Sequence, residues 1–125
     1  MSTLLSPNFI EGIEKEKYMS TAPKAEILEL VQMAAYQDGS VVSRQITKAE
    51  AGNVTLFAFD EGQELSEHTA PFDALVQILD GAAEVFISGQ PFQLQTGQSI
   101  ILPAGKPHGL KATQKFKMLL TMIRA

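Results

Sequence analysis

The chain contains only two histidines, His68 and His108, and no cysteine. These side chains are the best candidates for chemistry, because imidazole acts as a general acid or base near neutral pH and also binds transition metals. A pair of hydrogen-bonded imidazoles that line a pocket without metal is the alternative interpretation of the same residues. The absence of cysteine excludes a disulfide framework and thiol chemistry.

Each histidine lies in a segment with regularly placed glycines, and the two segments resemble the two signature motifs of the cupin superfamily. The first motif reads glycine, five residues, histidine, one residue, histidine, three or four residues, glutamate, six residues, glycine. The second reads glycine, five residues, proline, one residue, glycine, two residues, histidine, three residues, asparagine. The chain fits the first motif at Gly62, His68 and Gly81, and the second at Gly97, Pro103, Gly105 and His108.

The chain departs from the family pattern at Ala70, Ala74 and Ala112, where the motifs have histidine, glutamate and asparagine. Three histidines and one glutamate usually bind a divalent metal in the family, so two of those four donors are missing. A third donor could come from Glu64, which shares strand parity with His68, or from Gln77. The resemblance therefore implies either a weakly bound transition metal (zinc, nickel, copper or iron) or no cofactor at all.

The two histidines are expected to share a pocket inside the barrel that the resemblance implies. Residues two apart on a strand point the same way, so His68, Ser66 and position 70 should face one side. We take that side as the interior, where His108 approaches from a separate strand. The predicted pocket is lined by His68, His108, Val76, Gln77, Ile78 and Met118, with Phe57 or Phe59 and Leu120 as further walls.

Turn signals in the second half of the chain indicate the elements that must position these residues. Glycines recur every eight residues at positions 81, 89, 97 and 105, and short alternating strands lie between them. Even turn spacing with a period of two is typical of hairpins in a sandwich or barrel. We predict an all-β, cupin-type double-stranded β-helix or jelly-roll barrel, with strands near residues 40–47, 54–59 and 116–123.

The first residues of the chain differ from the rest in their sequence pattern, so we divide the chain into an N-terminal extension (1–22) and a barrel domain (23–125). Charged residues and a Ser-Pro start predict a short helix at about residues 7–17. A strand is expected near residues 26–31, although residues 24–36 could also form a helix, because they include good helix formers.

The charge and the apolar content of the chain restrict the kinds of partner it can bind. The net charge is −4 and no segment concentrates lysine or arginine, which argues against nucleic acid. The apolar runs are too short to cross a bilayer, and the first residues lack the features of a signal peptide, so a cytoplasmic location is expected. Charged residues make up only 19% of the chain, and the final strand is apolar on both faces, which together predict a homodimer.

The sequence thus predicts a small-molecule site inside the barrel, and it is compatible with a site that binds a divalent metal and with one that does not. The alternative is a metal-dependent or histidine-based enzyme acting on a small organic substrate. The resemblance implies that such an enzyme would belong to classes such as the dioxygenases, isomerases or decarboxylases. The residues alone do not decide whether the chain is an enzyme.

Overall fold

The computed structural model describes residues 21–124, whose strands pair in two connected antiparallel sheets around one hydrophobic core. The strands in this range are β1 (Val41–Ala49), β2 (Gly52–Phe59), β3 (Glu64–His68), β4 (Ala74–Ile87), β5 (Gln90–Gln95), β6 (Ser99–Leu102), β7 (His108–Lys111) and β8 (Phe116–Ile123). The predicted all-β cupin-type architecture is confirmed, as are the predicted strands near residues 40–47, 54–59 and 116–123.

Strand β4 belongs to both sheets and carries the chain from one to the other. Its first half pairs with β8 and β6, in a sheet of order β1-β2-β8-β4-β6, and its second half pairs with β5 and β7, in a sheet of order β5-β4-β7-β3. The change of sheet occurs at Gly81, where φ is +79° and an added Cβ would lie 2.1 Å from the Lys115 carbonyl oxygen. Only glycine fits this position without moving the backbone.

The space between the sheets is filled unevenly. Near Gly81 it is occupied by aromatic rings, with Phe59 and Phe116 stacked at a centroid distance of 4.5 Å and Phe57 next to them at 6.1 Å from Phe59. The opposite end of β4 begins at Ala74, which pairs in register with Met122 and Leu102. Small and flexible side chains are concentrated at that end, and this is where the interior remains open.

Residues 22–36 cover the outer face of the first sheet. Their apolar side chains pack on Leu56, Ala58 and Leu119, while the Tyr36 hydroxyl donates a 2.6 Å hydrogen bond to Asp80 Oδ2. The strand predicted near residues 26–31 is wrong, and so is the alternative helix over 24–36. The segment contains only a 3-10 turn at Leu30–Gln32 and is held by side-chain contacts instead of strand pairing.

Three further expectations concern the N-terminal helix, the domain boundary and membrane-spanning segments. The helix predicted at about residues 7–17 lies outside the described residues, and the domain boundary at residue 22 stays a prediction. Between residues 21 and 124 no helix is long and apolar enough to cross a membrane.

Candidate functional site

Two adjacent strands bring the predicted histidines together. His68 is the last residue of β3 and His108 is the first residue of β7, and they are register partners across this antiparallel pair. Their ring centroids are 4.4 Å apart and the ring planes make an angle of 71°. One small group could therefore contact both imidazoles at once.

An irregularity in β3 determines which of its side chains face inward. The register shifts between Leu65 and His68, so that both residues line the same cavity although they are three positions apart. A regular strand would place them on opposite faces. The shift leaves the side chains of Glu64 and Ser66 exposed, and Glu64 pairs in register with Lys111 instead of approaching His68. The prediction that Glu64 supplies a third metal ligand is therefore wrong, because its parity argument assumed a regular strand.

A backbone contact fixes the hydrogen position on His68. Its Nδ1 lies 3.0 Å from the carbonyl oxygen of Ser66. A carbonyl can only accept a hydrogen bond, so Nδ1 carries the hydrogen and Nε2 of the neutral ring is left with a free lone pair. His68 thus offers an acceptor nitrogen, which suits a hydrogen-bond donor or a metal equally well.

His108 is the more buried histidine, with 5% of its surface exposed. Its Nδ1 is buried, and no side chain or bound group within residues 21–124 pairs with it. Burial lowers the pKa of His108, the nearby His68 lowers it further, and the Lys106 backbone opposes the shift. We conclude that His108 is neutral at pH 7 and carries one N–H donor and one lone pair.

The histidines lie beside a cavity of about 170 Å³ with a predominantly apolar lining. The residues around it are Leu65, His68, Thr69, Ala70, Pro71, Phe72, Ala74, Leu102, His108, Leu110, Met118, Leu120 and Met122. Both alanines at the motif's missing donor positions, Ala70 and Ala74, are among them. The chain therefore keeps the geometry of the motif at these positions while lacking its donor atoms.

Part of the predicted pocket lies elsewhere in the molecule. Met118 and Leu120 line the cavity, whereas Val76 and Ile78 belong to the closely packed core, as do Phe57 and Phe59. The expectation placed the pocket too near Gly81, the end that the phenylalanine rings fill. The wall contributed by Leu65, Phe72, Leu102, Leu110 and Met122 was missed, although the alternation Met118, Leu120, Met122 along β8 could have indicated its last member.

Gln77 does not belong to the cavity. It lies between Val76 and Ile78 on β4, and those two neighbours both face the core. Successive residues on a strand point to opposite faces, so Gln77 is on the outer face, where its register partners are Leu119 and Ser99. Its proposed roles as a pocket residue and as a third metal ligand are therefore wrong.

Hydrogen bonds between loops hold the wall that contains Ala70. The Gly105 amide donates to the Ala70 carbonyl at 2.8 Å, and the Ala104 amide donates to Asp73 Oδ1 at 2.7 Å. The β3–β4 and β6–β7 loops are thereby joined next to the histidine pair. Asp73, which neighbours the missing glutamate position in sequence, acts in this structure as a link between the loops.

The donor set does not fit a standard metal centre. Catalytic zinc sites have three protein ligands and an open position, and residues 21–124 contain no group of three or more histidine, aspartate or glutamate side chains that could hold a metal ion. His68 and His108 provide two nitrogens, and the remaining motif positions present methyl groups. We therefore derive no reaction step through a metal in this chain.

Comparisons with known proteins agree with the architecture. The family model described as "Cupin domain" matches residues 55–124. A conserved protein of unknown function from Streptococcus pyogenes is 35% identical, with 84% of this chain and 92% of that chain covered and a TM-score of 0.80. No curated protein matches the chain.

Two further solved structures are similar. A Cupin 2 conserved barrel domain protein from Leptotrichia buccalis is 37% identical over 78% of this chain and 47% of that chain, with a TM-score of 0.75. A cupin superfamily protein from Desulfitobacterium hafniense is 26% identical over 84% of this chain and 96% of that chain, with a TM-score of 0.78.

Proposed function

We propose that this chain, which belongs to the cupin family, binds a small organic molecule in the cavity beside His68 and His108. The observation that carries the proposal is the meeting of His68 and His108, which line one cavity with their ring centroids 4.4 Å apart. A buried polar atom left unpaired costs about 1–3 kcal/mol. A bound molecule that donates a hydrogen bond to Nε2 of His68, the nitrogen that the Ser66 contact leaves with a lone pair, would avoid that cost.

The composition of the cavity supports a binding role. Pockets for small molecules are concave and mostly apolar, with a few convergent polar groups that fix the orientation of the ligand. Here the carbon-rich wall includes Leu102, Leu110 and Met118, and the imidazoles supply the convergent polar groups. Two nitrogen donors would hold a transition metal only weakly, so we propose that binding does not require one.

A search for co-purified molecules tests this proposal. The protein should be purified without chelator and analysed for metal by inductively coupled plasma mass spectrometry and for bound metabolites by native mass spectrometry. We expect metal well below one equivalent and a small molecule that is released on denaturation. His108→Leu should lose that molecule, while Gln77→Ala, a change on the outer face of β4, should retain it. One full equivalent of metal with no organic molecule would contradict the proposal.

A second candidate function is histidine-based acid–base catalysis. It is favoured by the lowered pKa of His108, which follows first from burial and then from the neighbouring His68. A neutral imidazole inside an apolar cavity can take a proton from a bound molecule. Incubating the co-purified molecule with fresh protein distinguishes the two functions, because an enzyme converts it at a rate that falls in His108→Gln, whereas a binding module returns it unchanged.

A further inference from the structure

We infer that the molecule bound in the cavity is a neutral, single-ring compound with one hydroxyl group, of the phenol class. This inference rests on the proposed function and narrows its ligand. It follows from three features of the cavity: the absence of charged side chains among the described residues that line it, the hydrogen position on His68, and its size.

The lining excludes charged ligands. None of the residues that line the cavity within the described range is lysine, arginine, aspartate or glutamate. Lys106 and Lys111 are exposed and lie outside the lining. Arg124 is also outside the lining, and its guanidinium lies 5.8 Å from the centroid of the Phe72 ring. A carboxylate or ammonium group in this cavity would lose its hydration without gaining an opposite charge, which disfavours its binding.

The histidines favour a hydroxyl over other neutral groups. The Ser66 carbonyl holds the hydrogen of His68 on Nδ1, so Nε2 of the neutral ring needs a donor from the ligand. His108 lines the same cavity and is the register partner of His68. A hydroxyl both donates and accepts, and the 4.4 Å between ring centroids brings both imidazoles within reach of one oxygen. A ketone or ether could only accept and would leave His68 unpaired.

The size and lining of the cavity favour one ring. An engineered apolar cavity of about 150 Å³ binds benzene, and this cavity measures about 170 Å³. Its wall contains Met118, Met122 and Phe72. Thioether sulfur and phenyl groups make favourable contacts with the edge and face of an aromatic ring, which an aliphatic ligand of equal volume would not receive.

A panel of matched ligands tests the inference with the full chain at pH 7.5 in the presence of chelator. Phenol, toluene, cyclohexanol and benzoate differ in the hydroxyl, the aromatic ring or the charge, and their affinities can be compared by ligand-observed NMR and calorimetry. We expect phenol to bind at least about tenfold more tightly than each of the other three. In His68→Leu and His108→Leu the preference for phenol over toluene should disappear, and in Gln77→Ala it should remain.

Each other result overturns a defined part of the inference. Equal binding of toluene and phenol contradicts the pairing of the hydroxyl with the histidines, and tighter binding of benzoate contradicts the exclusion of charge. Equal affinities for cyclohexanol and phenol contradict the requirement for an aromatic ring. If none of the four binds but another small molecule co-purifies, the inference fails and the proposed function stands. If none binds and nothing co-purifies, both fail.

Discussion

Restoring the two missing donors of the cupin motif should convert the histidine pair into a strong metal site. Ala70 and Ala74 line the same cavity as His68 and His108, so histidine at position 70 and glutamate at position 74 would enter space that borders both imidazoles. The double variant Ala70→His/Ala74→Glu would then present three nitrogens and one carboxylate to a single ion.

The expected gain follows from the number of donors. Structural zinc sites with four protein ligands bind with roughly 10–16 kcal/mol, so each ligand contributes on the order of 3 kcal/mol. Burying the new carboxylate at position 74, where only 4% of the alanine surface is exposed, removes several kcal/mol of the gain from two ligands. A net gain of about 3 kcal/mol remains, which corresponds to roughly a hundredfold higher affinity or more.

Calorimetric titration with zinc and nickel, together with thermal melts, measures this effect. Without metal, the double variant should be less stable than the wild type, because the carboxylate is buried unpaired, and zinc should restore its melting temperature. The matched control is Ala70→His/Gln77→Glu, which places the carboxylate on the outer face of β4 and should gain much less. Unchanged affinity in a folded double variant would show that positions 70 and 74 do not converge on the histidines.

Three further predictions concern stability and assembly. Gly81→Ala should lower the free energy of unfolding, measured in urea, by about 3 kcal/mol or more. Gly39→Ala is the control, because Gly39 has a similar φ of +66° but nothing lies within 4 Å of the added Cβ, and this variant should lose only about 1–2 kcal/mol. Equal losses in the two variants would contradict the close approach at Gly81. Because the pKa of His108 is lowered on folding, the unfolded chain takes up its proton first as the pH falls, so metal-free protein in chelator should lose stability from about pH 7 downward. His108→Gln should flatten that decline, and parallel curves would refute the assignment. The side chains of Ile101 and Ile123 are 58% and 62% exposed, and we expect light scattering at tens of micromolar to give a dimer that Ile101→Lys weakens; a wild-type monomer would overturn this.

The sequence contained enough information for the strands and for the meeting of the two histidines. Glycines at regular intervals mark turns with positive φ at Gly89, Gly97 and Gly105, while Gly81, also with positive φ, lies inside β4 where the strand changes sheet. Such turns fix where strands begin and end, and strand ends fix which residues become neighbours. His108 begins β7 after the turn at Gly105, and His68 ends β3, so the spacing of the two motifs predicted that they meet.

The composition of the site was harder to predict, because it depends on local departures from a regular strand. Because the register shifts between Leu65 and His68, these two residues face the same side of β3, and Glu64 faces the other side. No residue type in that segment predicts the irregularity. Gln77 was an avoidable error, since strict alternation separates it from Val76 and Ile78. Residues 26–31 have strand-like composition, but only Leu28 and Leu30 pack on the sheet, whereas Ile27 is 94% exposed.

Contacts within the chain position the two histidines. The ring of His68 is held by the Ser66 carbonyl, and β3–β7 pairing places His108 opposite it. Hydrogen bonds from Ala104 and Gly105 close the adjacent loops. In a site that depends on its metal, removing donors would leave the remaining ligands free to reorient. Here the contacts named above come from the backbone or from the Asp73 carboxylate, and none of them depends on Ala70 or Ala74 having a donor side chain. A preorganised pair of imidazoles in a carbon-lined cavity can bind a hydroxyl with little further loss of conformational entropy, which is why we assign recognition of a neutral ligand to this site.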